Sequence, residues 1–109
     1  MTPTEQIREL LKEAYALAQK AHEKSYRNVD TNSVPNRNAV MSYLCASISK
    51  YNAAAAIYWA HPEIEDEKFI KLLNQFDRVA AEGKLFCKEF NNATGFLMEL
   101  TYLEGMLEG

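Results

Sequence analysis

One period runs through nearly the whole chain, and it constrains the fold more than any other feature. In the opening segment TPTEQIRELLKEAYALAQKAHEKSY, Ile7, Leu10, Leu11, Ala14, Leu17, Ala18 and Ala21 recur at three- and four-residue spacing. That spacing is the apolar stripe of an amphipathic helix. Glu9, Lys12, Glu13, Lys20, Glu23 and Lys24 take the outer face. Thr2 can cap, Pro3 suits the first helical position, and Glu5 completes a capping box. These signals predict a helix over 3–26.

The stretch RNVDTNSVPNRN breaks the pattern, because its asparagines, Asp30, Thr31 and Ser33 offer side-chain oxygens that compete with helical hydrogen bonds. A second helix is expected over 36–60. A third follows over 63–90, starting near Pro62 with Glu63, Glu65, Asp66 and Glu67 in its first turn, where the helix dipole favours negative charge. Its stripe is Phe69, Leu72, Leu73, Phe76, Val79, Ala80, Phe86, Cys87 and Phe90, and Gly83 on that stripe lets another backbone come close. NNATG is the next break. It leads to a shorter helix over 95–107 with Phe96, Leu97, Leu100, Leu103 and Leu107 on one side. No stretch alternates with the period of a strand, and short connections favour antiparallel neighbours. The expectation is all-α: a single domain over 1–109, an up-down antiparallel helical bundle of three long helices plus a shorter fourth. A chain of 109 residues should bury roughly 65% of its unfolded surface in such a fold.

The second helix is the unusual one. It ends in YNAAAAIYWAHPE, with eight apolar residues in a row from Ala53 to Ala60. On a helical wheel Val40, Met41, Leu44, Ile48, Tyr51, Ala55, Tyr58 and Trp59 share a broad face that reads as core. The opposite side carries Tyr43, Ala46, Lys50, Ala53, Ala54 and Ile57, small or neutral apart from Lys50. Two readings of that side stand together. Either this helix packs on neighbours both ways, its alanines reflecting helix propensity, or the small face meets a second copy or a partner. Self-association through it would form a two-fold homo-oligomer, a dimer first.

The other candidates weigh less. Tyr26, Arg27, Asn36 and Arg37 flank the polar loop, where an arginine beside free helix-start N–H groups can hold a phosphate or carboxylate and a tyrosine can stack on a base. Ordinary capping explains the same residues. His22 and His61 have no glutamate three positions before them, so no di-metal pattern forms. His22 is expected on the solvent side of its helix and His61, before Pro62, in a turn. Cys45 and Cys87 lie 42 residues apart among apolar neighbours and read as small buried hydrophobes of a reducing cytoplasm. No catalytic residue, metal-ligand set or cofactor motif is evident. Neither a secretory signal nor a membrane-length apolar run appears.

A net charge of −3 argues against wrapping nucleic acid. The functional expectation is a small non-enzymatic, cytoplasmic binding protein that occupies a protein partner, of the inhibitor, immunity-protein or phage- or plasmid-encoded accessory type. The alternative is sequestration of an anionic small molecule or nucleotide in the region from Tyr26 to Tyr43.

Overall fold

The computed structural model describes residues 1–26, 34–89 and 93–108, apart from the side chains of Tyr26 and of residues 34–36. Four helices follow in order: α1 (Pro3–Tyr26), α2 (Val34–Ala60), α3 (Glu67–Glu89) and α4 (Thr94–Glu108). They form a helical bundle with no strand among the described residues. The bundle is elongated, 48 × 21 × 18 Å, because its longest member, α2, is 27 residues and so about 40 Å in length.

Each boundary has a local cause. Thr2 caps α1 as the sequence suggests: the Glu5 N–H donates to Thr2 Oγ1 at 3.1 Å, while the Glu5 carboxylate accepts at 3.1 Å from the Thr2 hydroxyl instead of from the backbone N–H that a full capping box uses. Caps of this kind contribute about 1 kcal/mol. The start of α3 differs from the expected 63. Residues after α2 first make a turn, in which the His61 N–H donates to the Tyr58 carbonyl and the Ile64 N–H to the His61 carbonyl. Asp66 is the actual cap, its Oδ1 accepting from the Lys68 N–H at 3.0 Å. An aspartate accepting an orphan N–H outweighs the first-turn preference of Pro62. Glu63 and Glu65 therefore precede the helix, with Glu63 Oε1 placed 2.8 Å from His61 Nδ1.

Cross-helix pairs fix the up-down arrangement. Lys50 of α2 pairs with Glu13 of α1 at 2.9 Å, one turn from where the Ser47 hydroxyl donates to the Ala14 carbonyl at 2.6 Å. Tyr51 and Tyr58 of α2 meet Phe76 and Phe69 of α3, ring centres 5.3 and 6.0 Å apart, in opposite sequence order. Gln75 of α3 donates to both the carbonyl and the carboxylate of Glu99 on α4, at 2.8 and 2.7 Å. His22 of α1 stands edge-on to Phe96 of α4, 5.4 Å between centres. Helices α3 and α4 are thus separate antiparallel elements, and α2 and α4 sit diagonally with their backbones apart.

The α1–α2 seam is the most extensive contact in the bundle, and its buried positions explain why. On α1 they are Ile7, Leu11, Ala14, Ala18, Ala21 and Ser25; on α2 they are Val40, Leu44, Ser47, Tyr51, Ala54 and Tyr58. Both sets step by four and three residues in turn, the repeat of a coiled-coil seam. Small residues dominate the α1 side, so the backbones approach closely enough for Ser47 to reach a main-chain carbonyl. A second close approach lies at Gly83 on α3. A Cβ there would stand 2.8 Å from Leu44 Cδ2 and 3.3 Å from Phe96 Cζ, so α2, α3 and α4 meet where α3 has no side chain.

The seam makes a direct prediction. Ala18 has no exposure, so Ala18→Leu forces the two backbones apart and destabilises by roughly 1–3 kcal/mol. Ala53→Leu, on the exposed side of α2, changes stability by no more than about 0.5 kcal/mol. Urea-unfolding midpoints of the two variants against the parent check the contrast.

Candidate functional site

The small face of α2 is mostly enclosed within the chain. Ala54, assigned from the wheel to an outward interface, has no exposure and lies in the seam. Tyr43 and Ile57 are half-buried and packed against the core, and Ala46 is half-buried beside them. Lys50 is held by Glu13. Of the six positions only Ala53 is exposed. The reason is rotational: the seam follows its small residues, whereas the wheel centred the core on bulky ones. Trp59 shows the same offset from the other side. Expected in the core, it is 69% exposed and stands edge-on to Tyr58, because the seam ends at Tyr58 and the next residue turns about 100° away.

Three further expectations need correction. Cys45 is exposed, not buried; Cys87 is buried, and burial pushes its thiol up, with Arg37 acting in the opposite direction. His22 is half-buried against Phe96 rather than solvated. Leu97, placed on the inner side of α4 by its spacing, is 49% exposed. Of the four anion-site residues, Arg37 is exposed at the start of α2. The side chains of Tyr26 and Asn36, and all of Arg27, lie outside the described residues.

The largest concavity among the described residues was not anticipated. It is an open groove of about 550 Å³ between α1 and α4. Tyr15, Gln19, His22 and Glu23 form the α1 wall; Thr94, Leu97, Leu100, Thr101 and Glu104 form the α4 wall, and Ala93 closes one end. Every fourth or third residue of α1 from Tyr15 to His22 faces this flank, and those residues are polar where the α1–α2 flank is alanine. Two helices joined by such bulky polar walls cannot close as α1 and α2 do. A trough remains, with Leu97 and Leu100 as its apolar lining.

Its polar groups form a chain. The Gln19 amide Nε2 donates to the Tyr15 hydroxyl at 2.9 Å, and the Glu104 carboxylate lies near that hydroxyl. Burial first, and then the negative charges of Glu104 and Glu108, push the Tyr15 phenol up to about 12. Thr101 turns its hydroxyl back to the Leu97 carbonyl at 2.8 Å. At the other end burial lowers the His22 imidazole below its ordinary 6.5, partly opposed by Glu23.

Outside the groove lining, Met98 and Tyr102 on the outer face of α4 are 51% and 58% exposed, and with Leu97 they leave three large apolar side chains in water. The sequence held a signal for this. On a helix of 15 residues, Leu97, Met98 and Tyr102 cannot share the stripe of Phe96, Leu100, Leu103 and Leu107. A lesser cleft of about 170 Å³ lies between α2 and α3 beside Trp59 and Ile70. There the Tyr51 phenol is raised, chiefly by burial and then by the neighbouring Asp77 carboxylate.

Among the described residues no group of three or more His, Cys, Asp or Glu comes together to hold a metal. No described helix is long and apolar enough to cross a membrane. No protein-family model, curated protein or solved structure matches the chain.

The His22 environment yields a pH prediction. Its folded-state value is lowered, so the unfolded chain takes up the proton first. Stability from this group is full above the unfolded value near 6.5 and falls as pH drops from there towards the lowered folded value. The parent therefore loses more stability than His22→Gln between about pH 7 and about pH 5.5, a window above most carboxylate titration. Equal losses in urea titrations of the two proteins would contradict this placement of His22.

Proposed function

We propose that the chain is a small non-enzymatic binding protein that acts by occupying a protein partner through the α1–α4 groove and the outer face of α4. The observation that carries this reading is the exposure of Leu97 in the groove and of Met98 and Tyr102 on the outer face of α4. Fully burying a large apolar side chain is worth about 1.5–3 kcal/mol. Each of these three retains about half its surface for a second molecule. Aromatic residues and methionine are also enriched where proteins meet. Gly105 lies two turns beyond Met98 and one beyond Tyr102 on the same face, and a Cβ there would meet nothing within 4 Å. Intramolecular packing thus places no demand on this glycine, although it weakens the helix by about 1 kcal/mol relative to alanine. Its bare backbone offers close approach beside the two apolar side chains.

Self-association through α2 has narrower support. The Ala53 side of α2 also exposes Ser42, Cys45, Ser49 and Ala56. That strip is uncharged and suits a second copy in shape, but it presents little apolar bulk apart from Trp59 at its end.

A photo-crosslinking residue at Met98, with another at Ser49 as control, tests the reading. The expected result is a discrete adduct from Met98 to a different protein, absent from Ser49 and lost when Leu97→Glu is added. Adducts only to a second copy of the chain, or a bound small mass in place of a protein, would overturn it.

A further inference from the structure

Resting on the protein-binding reading of the same groove, we infer that its occupant is a basic amphipathic helix of the partner. The charges of the groove point one way. The ionisable side chains of α4 in the acid-to-neutral range are Glu99, Glu104 and Glu108, and the helix contains no lysine or arginine. Glu104 and Glu23 line the groove, and no lysine or arginine lines it among the described residues. The negative field of Glu104 and Glu108 already acts on the Tyr15 hydroxyl within the wall.

Spacing narrows the occupant further. Glu104 lies near Tyr15, and Glu23 is eight residues further along α1, which is about 12 Å. The apolar lining of Leu97 and Leu100 falls between these two acids. A helix laid in the groove with basic residues about seven positions apart, and apolar ones three and four positions between, matches that pattern over about 10.5 Å. Helix-in-groove recognition uses the same anchor spacing. A second copy fits poorly, because two-fold pairing of this face would set its carboxylates against one another. Nucleic acid is disfavoured by the same carboxylates. The trough is open along its length rather than enclosed, which suits a rod more than a small molecule.

The test uses the full chain and two synthetic helical peptides of equal length, one with leucines and lysines at these spacings and one with leucines and glutamates. Amide chemical shifts report the site. The leucine–lysine peptide is expected to move Gln19, Ala93, Leu97 and Thr101, and the leucine–glutamate peptide to leave them in place. The combined change Glu23→Gln and Glu104→Gln should weaken binding by about 3- to 10-fold, as for two rim ion pairs, while circular dichroism shows the fold unchanged. Leu97→Glu should lose binding of the leucine–lysine peptide. Equal binding of the two peptides in the groove would overturn the charge inference and leave the protein-binding reading standing. Movement centred instead on the acidic turn at Glu63 and Glu65 would overturn the placement. If neither peptide moves any groove residue, both readings fail.

Discussion

The small-residue seam between α1 and α2 is the constraint on which the remaining arrangement depends. Burying Ala14, Ala18 and Ala21 adds little apolar area per residue, yet it lets two long helices lie close over most of their length. Dispersion gained by dense packing then replaces the area that larger side chains would supply. Ser47 marks how close the approach is. Its buried hydroxyl would be costly without a partner, and the Ala14 carbonyl of the neighbouring helix is near enough to accept from it. Any larger group in the middle of this seam removes several of these contacts together.

From that pairing the positions of α3 and α4 follow. Helix α3 fills the next side of α2 with aromatic contacts, Tyr51 to Phe76 and Tyr58 to Phe69. Gly83 then admits Leu44 and Phe96 together, drawing α4 onto the far side of α3. Helix α4 docks on α1 across Tyr15, Gln19 and His22, side chains too large and too polar to interdigitate as alanines do. The bundle thus closes tightly on one side of α1 and loosely on the other. The loose side is the groove, and of the exposed apolar residues of α4 Leu97 lines it. The Glu82 carboxylate, lying against Gly95 at the start of α4, adds a favourable charge at that helix end.

Much of this was legible in the residues, and the failures share a cause. The period and the cap of α1 place it over 3–26, the span observed. The four-helix order follows from turn residues, whereas the residues leave open whether Gly95 starts α4 or kinks a continuous helix. Gly83 is a close approach, but of the Leu44 and Phe96 side chains rather than of another backbone. The start of α3 was misread because Pro62 and the carboxylates after it look like a first turn, while the stronger local bond belongs to Asp66. On α2 the wheel centred the core roughly 50° from the true seam, since Trp59 and Met41 outweigh Ser47 and Ala54 in bulk. Small residues bury by bringing backbones together, and bulk does not register that. The groove was missed for a related reason. It arises from a mismatch between polar residues of α1 and apolar ones of α4, two segments some eighty residues apart in sequence, and no single helical pattern contains it.

The most direct measurement of this account is native-state hydrogen exchange read residue by residue. If the α1–α2 seam is the constraint that holds the bundle, amides around Ala14, Ala18, Leu44 and Ser47 exchange only through global unfolding. Those of α4 beside the groove, around Leu97 and Thr101, should exchange at lower free energy through local opening. An α4 as protected as the seam, or a seam that opens before α4, would contradict the claim that the rest of the fold is built on it.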